Sequence, residues 1–436
     1  MGLLAHQSVM KTPVARTLSL QRRDSSRRRA GLDTNVDAAR KSARATRRLQ
    51  RNDTTSPRNL VTLQPVLTVA MFANPATLLL CTALALNAQE APSAHSEAAE
   101  FQKLEPALKF LRSRNARDYT VIAPNGIDEA EYVKIGGLDQ WITIRGEDRK
   151  NPVLLLLHGG PGDATNPWGY AGFRNWLKYF TVVQWDQRGA GRTLGRNGAA
   201  SASTISIQRM AQDGVELAEL LSKKLQKDKI VLVGHSWGSI LGVFIVKSRP
   251  ELFYAFVGTG QVADPAQNYA VAYAALLERA SREGNSRALQ ELKEVGTPPY
   301  KDGKGYAVQR KWANLFEGAD AFIASMMGFA LTAPGYTLTD INDWLEGQNL
   351  SAEHLVPQTS TLDPKLLGGE FAVPVFVIQG AEDFTTPTSL ARTYLNSLHA
   401  PQKAFATIDS AGHFAVFMKQ DEFLRELKAR VLPLIR

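Results

Sequence analysis

A serine hydroxyl becomes a useful nucleophile only with help from three kinds of group. An imidazole must take its proton, a carboxylate must hold that imidazole, and N–H donors must meet the charge developing on the attacked carbonyl oxygen. The run Lys229-Ile230-Val231-Leu232-Val233 is apolar and β-branched, breaks at Gly234-His235-Ser236-Trp237-Gly238, and gives way to a helical pattern through Ile240, Leu241, Phe244 and Ile245. Strand, sharp turn and helix is the context in which G-x-S-x-G carries meaning. Gly234 and Gly238 leave room for backbones to approach closely, so Ser236 stands exposed on the turn as the candidate nucleophile. The competing reading is a buried serine in a glycine-rich connection. The partners decide between them.

Downstream, Val373-Pro374-Val375-Phe376-Val377-Ile378 reads as a buried strand running into Gly380-Ala381-Glu382-Asp383. A weaker strand, Ala404 to Ile408, precedes Asp409-Ser410-Ala411-Gly412-His413-Phe414. Of the seven histidines, His6 and His95 precede the folded region, and His158 and His235 flank glycine turns. His354 and His399 fall in helical stretches, which leaves His413, in a small-residue loop after a late strand, as the candidate base. The orienting acid is Asp383 or Glu382, with a structural ion pair as the other role for either. Asp383 is favoured as the fourth residue of the run opening at Gly380. For the oxyanion, one donor is the N–H of Trp237, and others come from His158-Gly159-Gly160-Pro161-Gly162 after the apolar run Pro152 to Leu157. Residues without side chains let amides face a cleft without crowding the substrate.

These residues need a scaffold that brings several strand ends to one edge. A lead helix is expected at about 97–114, and an edge hairpin from Glu131 to Ile144 around Gly136-Gly137. A strand at Thr181 to Trp185 ends at Asp186, and Ile205 to Leu225 has the three- and four-residue spacing of an amphipathic helix. Strands alternating with helices imply an α/β fold with a mostly parallel central sheet flanked by helices, the active site lying beyond the strands' C-terminal ends. Between strands at Tyr254 to Val257 and at Val373, helices are expected at 270–280, 287–295, 306–316, 321–331 and 338–345. Such an insertion forms a helical cap over the site. Its aromatics and methionines, Trp312, Phe322 and Met326 among them, line an apolar pocket or, as helical spacing favours, pack the cap's own core. The domain reading is then core at 97–261, cap at 262–370 and core again at 371–436.

Together these pieces resemble the proline iminopeptidase (prolyl aminopeptidase) branch of the α/β-hydrolase fold. The resemblance rests on His158-Gly159-Gly160-Pro161-Gly162, Asp186-Gln187-Arg188-Gly189-Ala190-Gly191-Arg192, Gly234-His235-Ser236-Trp237-Gly238, Gly380-x-x-Asp383 and Gly412-His413. It implies Ser236 as nucleophile, His413 as general base and Asp383 as its orienter, with Trp237 and Gly160 as oxyanion donors and Gly159 close by. Relatives of this kind place cap glutamates on the substrate's free amino terminus, in a Trp-x-x-Trp-Glu context that is missing here. Glu317 after Trp312 and Glu346 after Trp344 are the stand-ins, with a solvated helix face as the other reading of each. The expected activity is serine hydrolysis through an acyl-enzyme, most simply an aminopeptidase releasing N-terminal Pro or small residues from short peptides. The alternative is a carboxylic ester or amide hydrolase with no peptidase role. Neither needs a metal or an organic cofactor.

The formal charge of +9 over 436 residues suggests a nucleic-acid partner until it is located. Residues 1–58 carry 14 Lys and Arg against 4 Asp and Glu, while the remainder carries 37 against 38. The globular part is neutral and offers no phosphate-reading surface, and the Arg-rich tail has little to bury and reads as disordered. Residues 59–90 form an apolar stretch, without charge from Asn59 to Gln89 and ending in small residues. It resembles a secretory signal if translation starts at Met71, and is too short and Pro-interrupted for a stable membrane span. The expected location is therefore exported if that segment is used, and otherwise membrane-anchored or cytoplasmic. Cys81, the single cysteine, lies in that stretch, so no disulfide or zinc cluster is available.

Overall fold

The computed structural model describes residues 94–435 apart from 301 and 302. The Arg-rich tail at 1–58, the apolar segment at 59–90 and Cys81 lie outside the described residues. After helix α1 (Ala94–Tyr119) come strands β1 (Ile127–Ile135), β2 (Leu138–Gly146), β3 (Val153–Leu157) and β4 (Thr181–Trp185). Helix α2 (Ile207–Leu225) then leads to β5 (Ile230–His235), α3 (Trp237–Ser248) and β6 (Phe253–Thr259). Five helices follow: α4 (Pro265–Arg282), α5 (Ser286–Val295), α6 (Gly303–Phe316), α7 (Asp320–Leu331) and α8 (Leu338–Ser360). The chain closes with β7 (Val375–Gly380), α9 (Thr388–Ser397), β8 (Lys403–Ile408) and α10 (Gln420–Val431).

The strands form one sheet in the order β1-β2-β4-β3-β5-β6-β7-β8. The first hairpin and its junction with β4 are antiparallel, and every pairing from β4 to β8 is parallel. Gly136 and Gly137, at φ +53° and +80°, make the two-residue turn of the hairpin, the left-handed pair that a tight β-hairpin requires. Strands β3, β4, β5 and β7 are buried at every residue, because helices cover both faces and both pleats must be apolar. Leu155 and Leu157 of β3 enter the core on one face, and Leu154 and Leu156 the core on the other. Parallel register sets Leu157 beside Gly234 and Gly380 beside Ile408, so the chain leaves β3, β5, β7 and β8 along one edge.

Helices α4 to α8 follow β6, as the apolar spacing suggests, with starts fixed by local capping. The side chains of Asp264, Asn285 and Thr337 accept first-turn amides of α4, α5 and α8, and Thr337 forms a capping box with Asp340. Helix α8 runs on to Ser360, well beyond the 338–345 expected. Gly347 breaks the apolar pattern there without ending the helix. It touches the 189–191 turn so closely that a Cβ would sit 2.9 Å from the Gly189 carbonyl oxygen. The Arg192–Asp340 ion pair at 2.9 Å and the Ser351 hydroxyl on the Gly189 carbonyl fasten α8 to the core. Among the described residues no helix is long and apolar enough to cross a membrane.

Candidate active site

Ser236 sits at the tip of the β5–α3 turn with φ +54° and ψ −120°, a conformation costly for any residue with a Cβ. The surroundings impose it. A Cβ on Gly234 would meet the Gly238 carbonyl oxygen at 2.3 Å, and one on Gly238 would meet that of Leu157 at 2.3 Å. The Ser236 amide donates to Thr259 at the end of β6, at 3.0 Å, which anchors the turn to the neighbouring strand. The backbone leaves the hydroxyl partly exposed while both flanks are buried.

Three loops from three strand ends meet there. His413 Nε2 lies 3.0 Å from Ser236 Oγ, and its Nδ1 lies 3.1 Å from Asp383 Oδ2. Both distances suit proton transfer or orientation. Asp383 is tightly provided with donors. Its Oδ1 accepts the amides of Thr385 (2.9 Å) and Thr386 (2.7 Å), and its Oδ2 accepts the Thr386 hydroxyl (2.8 Å) and Gln379 Nε2 (3.3 Å). This shell holds the buried carboxylate aimed at the imidazole. Adjacent Glu382 points the other way, to Arg279 of α4 at 2.9 Å, and takes the structural ion-pair role.

The glycine loop after β3 abuts the serine, since a Cβ on Gly159 would lie 3.1 Å from Ser236 Cβ. Gly160 adopts φ +106°. Trp237 opens α3, so its N–H belongs to the first turn, where helix amides lack intrahelical acceptors. Its indole donates to Gln187 at 3.0 Å, and Gln187 in turn donates to the His158 carbonyl, tying the Ser236 turn to the glycine loop. His158 is held neutral, its pKa lowered to about 4 by burial, with Nε2 accepting the Gln187 amide. His235 packs its ring 4.8 Å from that of His413 and is pushed well below the ordinary histidine range, first by burial and then by His413's charge. Both support the site as neutral scaffolding. The rest of the Asp186-Gln187-Arg188 segment is architectural. Asp186 accepts Asn166 and the Arg192 amide, and buried Arg188 pairs with Asp213 at 2.7 Å while bonding the Gly136 carbonyl.

The two cap glutamates part company. Glu346 is exposed on α8 and, among the described residues, accepts only the Asn342 side-chain amide, at 2.9 Å. Its turn of α8 faces solvent, while Trp344 and Gly347 face inward. Glu317, just past α6, does the opposite of lying on a solvated face. Its Oε1 accepts the Phe384 amide at 2.8 Å and its Oε2 the His413 amide at 2.7 Å, so one carboxylate grips the Asp383 loop and the His413 loop together. The contact is close enough that a Cβ on Gly412 would collide with it. Burial, and then the Asp383 charge, raise its pKa well above the glutamate range.

Three further groups bear on the site. Asp163, directly after the glycine loop, accepts the Trp344 indole at 3.2 Å, and burial raises its pKa to about 6. Its position next to His158–Gly162 was the available signal. Thr386 bonds both Asp383 and His413 (3.2 Å to Nδ1), as an acid with a hydroxyl three residues on readily does. Arg310 of α6 donates to the Thr385 hydroxyl at 2.9 Å and lies 5.9 Å from the Phe414 ring centroid, and nothing local in its sequence marks it. Tyr273, Trp312 and Leu292 pack together among helices α4 to α6, whereas Phe322 of α7 reaches the ring of Phe414, next to His413, at 5.5 Å. Among the described residues no group of three or more His, Cys, Asp or Glu is placed to hold a metal ion.

A strand-ordered sheet, a serine on a strained strand–helix turn and an imidazole reaching it from a later strand define a class of hydrolytic fold. The alpha/beta hydrolase fold family matches residues 152–420, and the chain belongs to that family and is a hydrolase. It is 30% identical over 289 residues to the probable aminopeptidase YbaC of Bacillus subtilis, spanning 64% of this chain and 89% of the relative. A proline iminopeptidase of Lactobacillus delbrueckii subsp. lactis is 22% identical over 305 residues, 68% of this chain and 95% of that one. The crystal structure of a proline iminopeptidase-related protein from Thermus thermophilus matches with a TM-score of 0.51 at 18% identity, covering 71% of this chain and 100% of that one. This last likeness is one of fold. The resemblance to proline iminopeptidases read from the motifs is borne out by these relatives.

Proposed function

We propose that the protein is a serine aminopeptidase that removes an N-terminal Pro or small residue from short peptides. In this reading His413 Nε2 takes the proton as Ser236 Oγ bonds to the scissile carbonyl carbon. The amides of Trp237 and Gly160 receive the oxyanion, with Gly159 lining the hole. The C–N bond then breaks, the proton passes from His413 to the departing amine, and an ester remains on Ser236. Water, deprotonated by the same imidazole, bonds to the ester carbonyl carbon, and as the bond to Ser236 Oγ breaks the proton passes from His413 to that oxygen and the amino acid is freed. The observation that carries hydrolysis is the unbroken chain Ser236–His413–Asp383 at 3.0 and 3.1 Å. What supports the aminopeptidase reading is Glu317, a carboxylate against the His413 backbone where a substrate ammonium approaches, together with the aminopeptidase names of the relatives.

The second reading, a carboxylic ester or amide hydrolase, draws on the same residue. Both Glu317 oxygens already accept amides, and burial favours the neutral acid, which attracts no ammonium. Pro- and Ala-arylamides assayed beside short acyl esters, with Ser236→Ala as control, separate the two. Arylamide turnover abolished by Ser236→Ala is the result expected. Ester turnover alone removes the peptidase reading.

A further inference from the structure

Arg310 is an exposed guanidinium held beside the proposed reacting groups. It comes from α6 of the cap and bridges to both loops, through the Thr385 hydroxyl two residues after Asp383 and over the Phe414 ring one residue after His413. Among the described residues that hydroxyl is its one hydrogen-bond partner, and no carboxylate there lies within ion-pairing distance of it. Its charge nevertheless reaches Asp163 after the glycine loop, His235 in the serine turn and Glu317 at the end of α6. Nη1 is engaged and the remaining donors of the fork are open. Arginine is the side chain best suited to meet a planar anion there.

We infer that Arg310 binds the free carboxylate of the leaving residue, so that the preferred substrates are dipeptides and similarly short peptides with an unblocked C-terminus. The inference rests on the aminopeptidase reading and sharpens it. The departing nitrogen must approach His413 Nε2 to be protonated, and in a dipeptide the carboxylate carbon is only two bonds from that nitrogen. A cation bracing the loops on either side of the base is placed to meet it. Glu317 at the substrate's amine and Arg310 at its carboxylate then read the two charges of a zwitterion, and the peptide bond lies between them. Blocked or long peptides lose the second contact.

The competing role for Arg310 is only to temper the charges of Asp163 and Glu317, which would affect all aminoacyl substrates alike. The test uses the full chain with three substrates: Pro-Gly, its C-terminal amide Pro-Gly-NH2, and Pro-p-nitroanilide. For the wild type, kcat/KM for Pro-Gly should exceed that for Pro-Gly-NH2 by about tenfold, the lower end for a partly exposed hydrogen bond to a charged group. The difference should sit in KM. In Arg310→Gln the ratio should fall toward one, and Arg310→Lys should restore part of it. Equal wild-type rates for the free and amidated dipeptides overturn the inference while leaving the aminopeptidase reading intact. So does a preference that survives in Arg310→Gln. No turnover of any of the three removes the aminopeptidase reading, and this inference with it.

Discussion

Replacing Glu317 by Gln tests whether the cap carboxylate recognises an amine or merely braces two loops. A carboxylate has about four lone-pair positions. Two are taken by the Phe384 and His413 amides, which leaves the others for an ammonium without displacing either bond. Gln keeps the shape but removes the charge, and its NH2 must face one of the two amides. Losing a hydrogen bond between charged groups costs about 1.5–3 kcal/mol, so kcat/KM for Pro-p-nitroanilide should drop about 10- to 100-fold. A p-nitrophenyl ester without an amino group suffers only from the disturbed amide, and its fall should be several-fold smaller. The pH dependence adds a second readout. Because the pKa of Glu317 is raised by burial and by Asp383, protonation on acidification through neutrality should raise KM for the aminoacyl substrate. The ester should show no such limb, and Glu317→Gln should abolish it. Steady-state kinetics with both substrates from about pH 6 to 9, a window that brackets the raised pKa, give all of these numbers. Equal losses for ester and arylamide, with an unchanged pH profile, would refute amine recognition and leave Glu317 as a brace.

Stability follows the same sign: an acid with a raised folded-state pKa loses stability as pH rises from its ordinary value to the raised one, so the wild type's melting temperature should fall between about pH 4.5 and 8 more than that of Glu317→Gln, and the difference should level off above that. Ser236→Ala and Ser236→Gly should both be inactive, but the glycine variant escapes the strain at φ +54° and should be more stable than the alanine variant by about 1 kcal/mol in denaturant unfolding. Thr386→Val removes a hydroxyl donor from Asp383 at 2.8 Å and should lower kcat about tenfold, with Thr386→Ser restoring most of it; an unaffected kcat would show that the remaining donors suffice. Arg188→Ala breaks a fully buried pair with Asp213 at 2.7 Å, and since Arg209 still pairs with that carboxylate at 2.8 Å, the cost should be near the low end of such losses, about 3 kcal/mol by urea unfolding.

How much of the site the sequence revealed depends on how local each requirement is. The G-x-S-x-G turn is legible because its geometry is enforced within five residues: any Cβ at Gly234 or Gly238 collides with backbone, so only glycine fits. The hairpin at Gly136-Gly137 is legible for the same reason, being a short-range backbone condition. Buried strands announce themselves because both pleats must be apolar. His413 could be singled out by its small-residue loop after a late strand, before any contact was visible.

Tertiary packing decided what no short window encodes. Glu382 and Asp383 are chemically alike neighbours, and the α4 arginine on one side and the imidazole on the other fix which carboxylate turns inward. Glu317 and Glu346 each follow a tryptophan by a few residues, yet one meets a backbone amide 96 positions away and the other meets solvent. Arg310 looks like any exposed helical arginine until α6 is laid across the Thr385 and Phe414 loops. Gly347 lies within helix α8 where the 189–191 turn packs so closely that a side chain would crowd it. The chain's own order thus specifies the turns, the strands and the serine with its partners in principle. Which polar side chains the cap delivers to them is set by long-range contact, where a change of one helix face exchanges a buried carboxylate for a solvated one.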